Sequence, residues 1–194
     1  WFSSPLLFGE FMKLPFCHIS EPYLLYLQQI EPKIMHPDSF YPDGSRKKFA
    51  IGILFEINGF NYYAPISSIK FHQLNVTDSD KLHSDFKQFC FPVRVKRYKV
   101  EQIVALVRLD FMFPVSDNDF YLVPFNTLDQ EYQIFVRSQY LYCKKNMDEI
   151  RQKAKYIYES RTDTLATPHV KEKCCDFILL ESSLQKWLNI QMRL

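Results

Sequence analysis

Glycine is scarce in this chain: there are four among 194 residues, where an average protein carries ~7%. Phosphate loops of the P-loop or dinucleotide-binding kind need several glycines at fixed spacing, so the sequence argues against ATP- or NAD-driven chemistry. Cysteine is limited as well. The five are an odd number, none stands in a C-x-x-C pair, and Cys174 and Cys175 are adjacent, an arrangement too strained to bridge easily. Free thiols and a cytoplasmic location are therefore expected. The five histidines (18, 36, 72, 83 and 169) contain no H-x-x-x-H pair, so we expect neither a zinc site nor any other metal or cofactor. No apolar run approaches the ~20 residues that cross a bilayer, and the N-terminus lacks a signal-peptide pattern. A membrane partner is not expected.

What the chain does have is apolar and aromatic bulk. It is 47% hydrophobic, with 18 Phe, 12 Tyr and 2 Trp, enough to fill a sizeable core and to exclude a disordered protein. Its 24 Lys+Arg against 22 Asp+Glu give a net charge of +2. Residues 1–11 (WFSSPLLFGEF) precede Met12-Lys13, which reads as a natural start; we take 1–11 as a leader from expression or upstream translation. Residues 12–194 are read as a single domain.

Leu14 to Ile19 reads as a strand. Ser20-Glu21-Pro22 opens a helix carrying Tyr23, Leu24, Leu27 and Ile30 and stopping before Pro32. Residues 32–46 hold three Pro and an Asp-Gly step and form a loop ending in Arg46-Lys47-Lys48. Phe49 to Ile57 and Phe60 to Ile66 flank Asn58-Gly59, the strongest two-residue hairpin signal. Phe89 to Lys96 and Gln102 to Phe113 make a second strand pair, and Phe120 to Val123 a shorter strand. From the capping box Thr127-x-x-Gln130 the period becomes helical, through Tyr132, Phe135, Val136, Tyr140 and Cys143. A further helix starts at Asn146 and ends near Arg161. A polar connection covers Thr162 to Lys173, and a final amphipathic helix carries Phe177, Leu180, Leu184, Trp187 and Leu188. Strands followed by helices predict an α+β fold around a twisted, mainly antiparallel sheet or small barrel.

Ala64-Pro65-Ile66-Ser67-Ser68-Ile69-Lys70 gathers two hydroxyls and an ammonium where the hairpin's second strand ends; Pro65 is expected to break the ladder and hand over to a loop. Such a group either is a solvated turn or binds a phosphate, with hydroxyls on non-bridging oxygens and Lys supplying charge. Pairing symmetric about Asn58-Gly59 brings Lys48 to within about one residue of facing Lys70. Two like charges there destabilise unless an anion sits between them, and an edge lysine also serves simply to discourage aggregation. Arg94 to Lys99 (RVKRYK) has four basic residues in six, either solvated charge or a face for a phosphate backbone. His72 is a conceivable acid or base. Cys17 is read as a buried thiol rather than a nucleophile.

Several segments in order resemble the endoribonuclease toxins of type III toxin–antitoxin systems, the ToxN, AbiQ and CptN group. They are MKLPFCHISEPYLLYL (12–27), KFAIGILFEINGFNYYAPISSIK (48–70), LDFMFPV (109–115) and Cys175 to Trp187. Together they span nearly all of the chain from residue 12. The resemblance implies a MazF- or Kid-like core with added helices and a metal-independent, sequence-specific RNase. It places the catalytic lysine and hydroxyls on Lys70, Ser68 and Ser67 (a position that is often Thr), the second active-site lysine on Lys48, and a loop tyrosine on Tyr41. Contacts to RNA would come from Arg46, Lys47, Lys96, Arg97 and Lys99, with Phe71 and His72 beside the signature lysine. Implied partners are a repeated pseudoknot antitoxin RNA that the toxin processes and with which it builds a closed dimeric or trimeric ring, and a cellular or phage mRNA substrate, in abortive infection. A non-catalytic nucleic-acid-binding module, holding phosphate at the same turn, is the alternative.

Overall fold

The computed structural model describes residues 16–36, 49–69, 82–97, 100–123, 126 and 128–192. Its elements are β1 (Phe16–Ile19), α1 (Glu21–Gln28), β2 (Ala50–Ile51), β3 (Glu56–Ile57), β4 (Phe60–Ser68), α2 (Ser84–Phe89), β5 (Cys90–Arg97), β6 (Val100–Arg108), β7 (Phe113–Pro114), β8 (Phe120–Leu122), α3 (Gln130–Lys145), α4 (Met147–Thr162), α5 (Pro168–Lys173) and α6 (Phe177–Gln191). The sheet runs β5-β6-β4-β2-β1-β8, with β3 and β7 also on β4. Each described pairing is antiparallel. This is the expected α+β architecture.

The Asn58-Gly59 turn forms as expected. Both residues are left-handed, with φ 53° and 79°, the conformation a tight hairpin demands and that Asn and Gly tolerate. The strands beyond it do not pair symmetrically. Glu56 faces Asn61, but Ile51 faces Ala64. Five steps along one strand thus match three along the other, and residues 52–55 lie outside the ladder. Leu54 N donates to the Tyr62 carbonyl while the Phe55 carbonyl accepts from Tyr62 N, the two-against-one geometry of a bulge. Gly52 lies here because the Tyr63 ring packs on its α-carbon: an added Cβ would stand 2.2 Å from Tyr63 Cδ1.

The long strand expected over Gln102 to Phe113 is broken too. β6 stops at Arg108, Leu109–Phe111 forms a 3₁₀ turn, and β7 resumes on β4. The helical half departs from expectation at its ends. α1 stops at Gln28, and Ser20 precedes it without a side-chain cap; its Oγ donates to Asp119 instead, at 2.9 Å. α3 is capped by Asp129, whose carboxylate accepts from Tyr132 N at 2.9 Å, rather than by the expected box at Thr127, a residue outside those described. α5 lies inside the polar connection, opened by Thr167 and Pro168, and α2 has no counterpart among the expected elements.

The main core is aromatic, with Phe16, Tyr23, Tyr62, Tyr63, Phe113 and Phe177 fully buried. Two of its hydroxyls share one carboxylate: Glu181 accepts from Tyr62 Oη at 2.8 Å and Tyr158 Oη at 2.7 Å, while the buried Tyr63 hydroxyl has no partner. Asp119 accepts from Trp187 Nε1 at 2.9 Å, pinning α6 to the turn before β8. A smaller second core of Leu82, Cys90, Ile103 and Leu106, flanked by Ile69 and Phe86, lies under α2. All five cysteines are free and buried.

Candidate active site

β4 is the central strand, and its last residues form the candidate site. Contrary to expectation, Pro65 does not end it: Pro65 pairs with Ala50, and Ser67 and Ser68 pair with Leu106 and Ala105 of β6. Alternation explains the tolerance. Even-numbered β4 amides turn towards β2 and β3, as Ile66 N donates to the Phe49 carbonyl, so a residue-65 amide would point to the β6–β7 flank. There the partner strand gives way to the 3₁₀ turn, between Val107 opposite Ile66 and Phe113 opposite Tyr63. Proline removes a donor at a place where the ladder has no acceptor. The strand then continues through Ser68, and just beyond it the Ile69 N–H reaches the Val104 carbonyl at 3.2 Å.

The same alternation separates the two hydroxyls that the sequence put together, since adjacent residues in a strand face opposite sides of the sheet. Ser68 is exposed and opposite Ala105. Ser67 shares its face with Leu106 and Ile69, and its Oγ is buried with no hydrogen-bond partner. An orphaned hydroxyl of this kind is costly to keep. Beyond Ile66, β4 has β6 on one flank and, among the described residues, no strand on the other.

Lys48, Lys70 and Tyr41 lie outside the described residues, as do Arg46, Lys47, Phe71, His72 and Lys99. The symmetric register that brought Lys48 towards Lys70 is nevertheless corrected by their neighbours. Symmetry would set Phe49 against Ser68, whereas Phe49 bonds to Ile66; the bulge over 52–55 accounts for the two-residue slip. Lys96 is exposed on β5 and stands directly across from Glu101, a carboxylate that competes with a phosphate for its charge. Arg97 pairs through its backbone with Val100. Arg94 is half-buried near Tyr142, whose hydroxyl it helps to hold down against the upward push of burial. The basic strand is thus less free than its sequence suggests. Cys17 is the buried thiol expected: its Sγ donates to the Ala50 carbonyl at 3.6 Å, and burial pushes it up to about 12, where no useful thiolate forms near neutrality. Among the described residues no group of His, Cys, Asp and Glu could hold a metal ion, and no helix is long and apolar enough to cross a membrane.

Sequence reasoning passed over the polar group behind this strand end. Arg108 grips Asp110 through Nε at 2.9 Å and Nη2 at 2.6 Å, and its guanidinium lies 3.9 Å from the Phe111 ring centroid. Burial pushes the Asp110 carboxyl up against the opposing pull of Arg108. Lys153 of α4 donates to the carbonyls of Lys87 and Cys90, both at 2.6 Å, and burial lowers its ammonium below the usual lysine value. Arg108 and Lys153 belong to no periodic or motif signal, and Asp110 stands in the LDFMFPV segment without being singled out; only the charged pair R-x-D, closing an apolar strand, hints at the group.

The fold has solved counterparts. A toxin described in work on selective inhibition by a non-coding RNA pseudoknot in type III systems superposes with a TM-score of 0.73 at 24% identity, over 90% of this chain and 98% of that one. AbiQ, a lactococcal anti-phage endoribonuclease of a type III system, gives 0.72 at 20% identity, over 91% and 99%. In sequence, the chain is 26% identical over 177 residues to Endoribonuclease ToxN of Bacillus thuringiensis subsp. kurstaki (87% of this chain, 81% of that protein). It is 28% identical over 172 residues to Endoribonuclease ToxN of Pectobacterium atrosepticum (87% and 90%). The family model of toxin ToxN, type III toxin–antitoxin system, matches residues 15–185. The chain therefore belongs to the ToxN family of type III toxin–antitoxin toxins, the group its motifs resemble.

Proposed function

We propose that this chain is a sequence-specific endoribonuclease of a type III toxin–antitoxin system, acting in the cytoplasm. It would cut mRNA to 2′,3′-cyclic phosphate and 5′-hydroxyl ends without needing a metal. It would process, and be inhibited by, a pseudoknot antitoxin RNA within a closed RNA–protein assembly, and serve in abortive infection against phage. The observation that carries the reading is the family match over residues 15–185, which includes a β4 end where Ser68 is exposed and an unpartnered Ser67 hydroxyl lies one residue away.

In this reaction the ribose 2′-oxygen loses its proton and bonds to the adjacent phosphorus, the bond from phosphorus to the 5′-oxygen breaks, and that oxygen takes up a proton. The transition state gathers negative charge on the phosphoryl oxygens. Lys70, next in the chain after Ile69, and Lys48, next to Phe49, would offset that charge while Ser68 and Ser67 orient the oxygens. Ser67 donates in this scheme only if the substrate reaches its face of the strand. A lysine acting as the base needs a depressed pKa, which a second lysine close by would supply; Tyr41 and His72 are the other candidates to take the proton.

The test is a long single-stranded RNA incubated with wild-type protein or Lys70→Ala in excess EDTA, with product ends mapped. Cleavage at a few sequences with cyclic-phosphate ends is expected from the wild type. The variant should fold normally and lose cleavage by about 10²–10³-fold, the cost of removing one preorganised donor. Near-wild-type cleavage by the variant removes Lys70 from the chemistry. RNA that is bound but left intact by the wild type points to a binding module.

A further inference from the structure

α2 is six residues long; Cys90 N closes onto its Phe86 carbonyl, and the carbonyls that follow have no helical partner. The Lys153 ammonium reaches in from another helix, meeting the carbonyl of Lys87 in α2 and that of Cys90, the first residue of β5, at 2.6 Å each, with its positive charge at the negative end of the α2 dipole. What α2 covers matters more than the helix itself. Phe86 and Ile69 both pack against the cluster of Leu82, Cys90, Ile103 and Leu106. Ile69 directly follows the candidate site's strand and immediately precedes Lys70. Its N–H donates to the Val104 carbonyl at 3.2 Å and its partly buried side chain packs against the second core, so the β6 backbone and that core together hold the strand end in place. Ser67, opposite Leu106, shares that face. Arg108 closes the same core from the side, 6.0 Å from the Phe86 ring centroid and locked to Asp110.

We propose that Lys153 is a positioning residue for the active site: by capping α2 from α4 it holds Phe86 on the second core, the cluster against which Ile69 packs and whose Leu106 stands across from Ser67 at the strand end. The inference rests on the endoribonuclease reading above. It assigns to a helix remote in sequence the job of aiming the strand end. Placement errors near 1 Å cost about 100-fold in rate, whereas RNA binding spread over many contacts is less sensitive to them. Lys153 therefore acts on the rate of cleavage and leaves affinity largely alone.

The experiment uses a short RNA spanning one cut site mapped on the long substrate, and the same RNA with 2′-deoxyribose at that site as an uncleavable probe. Under single-turnover conditions with saturating protein, Lys153→Met should cleave about 10- to 100-fold more slowly than wild type while binding the probe within about threefold. Lys153→Arg, which keeps charge and donors, should recover most of the rate. Phe86→Ala should reproduce the loss, and the double variant should fall well short of the product of the two single losses, because both act through one contact. Cleavage by Lys153→Met within about threefold of wild type overturns the inference, as does a loss of probe binding equal to the loss of rate. If Lys153→Met does not fold, Phe86→Ala decides the matter, and a full cleavage rate in that variant overturns the inference. A wild-type protein that binds RNA without cutting it defeats the endoribonuclease reading instead, and the inference falls with it.

Discussion

Gly52→Ala tests the packing that shapes the hairpin. The new methyl group would stand 2.2, 2.5 and 2.6 Å from Cδ1, Cγ and Cε1 of Tyr63, where carbon atoms rest at about 3.5–4.0 Å. More than an ångström must therefore be made up by movement. The Tyr63 ring cannot easily give way: it is fully buried, lies 5.4 Å from the Phe120 ring, and belongs to the central strand, where Tyr63 pairs with Phe113. Overpacking of this kind typically costs about 1–3 kcal/mol, and the overlap here puts the value at the upper end. For a domain of this size each kcal/mol moves Tm by about 2–4 °C, so a fall of roughly 6–12 °C is expected by calorimetry or circular dichroism. The clash is specific to one ring, so Tyr63→Leu should relieve much of it. In a double-mutant cycle the two changes should couple favourably by about 1 kcal/mol or more. A Tm for Gly52→Ala within about 2 °C of wild type, or strictly additive losses in the double variant, would refute the steric argument.

The buried thiols set an alkaline limit. Burial raises Cys17, Cys143 and Cys174 to about 12 from 9.0 and lifts Cys90 and Cys175 as well. An acid whose pKa is raised by folding contributes stability that is intact below its unfolded pKa and is lost as pH rises towards the folded value. Cys17, Cys143 and Cys174 should therefore each subtract up to about 1.4 kcal/mol per pH unit between about 9 and 12, read as a falling urea midpoint, while Ellman's reagent should find no reactive thiol in the native protein at pH 8. Rapid labelling at that pH would contradict the burial. For RNA binding, Lys96→Ala combined with Arg97→Ala should weaken affinity and reduce the magnitude of its salt slope by up to about 1.4, some 0.7 for each single-strand phosphate that is no longer neutralised. An unchanged slope would mean that Glu101 already satisfies Lys96 and that this strand is not an interface.

The parts of the fold legible in the sequence are those decided locally. Asn58-Gly59 declares its turn because both residues accept positive φ; α6 shows its period because Phe177, Leu180 and Leu184 all reach the core. What stayed hidden was decided by partners distant in the chain. The register of β2 on β4 depends on a bulge that exists because Tyr63 fills the space over Gly52. The break between β6 and β7 follows from Arg108 turning to Asp110, which strand propensity does not report. α2, with sequence SDFKQF, carries no helical stripe of its own; it is held by Lys153, 66 residues away from Lys87 in sequence. The candidate site divides along the same line. Its residue types could be read from A-P-I-S-S-I-K, because chemistry resides in side chains. Their placement could not, because Pro65 looks like a strand breaker until the gap it faces between β6 and β7 is known. Once the strand runs on to Ser68, the pleat alone sends Ser67 and Ser68 to opposite faces. A site built on a strand end therefore depends on whatever orients that end, and here the second core under α2 is the element in contact with it.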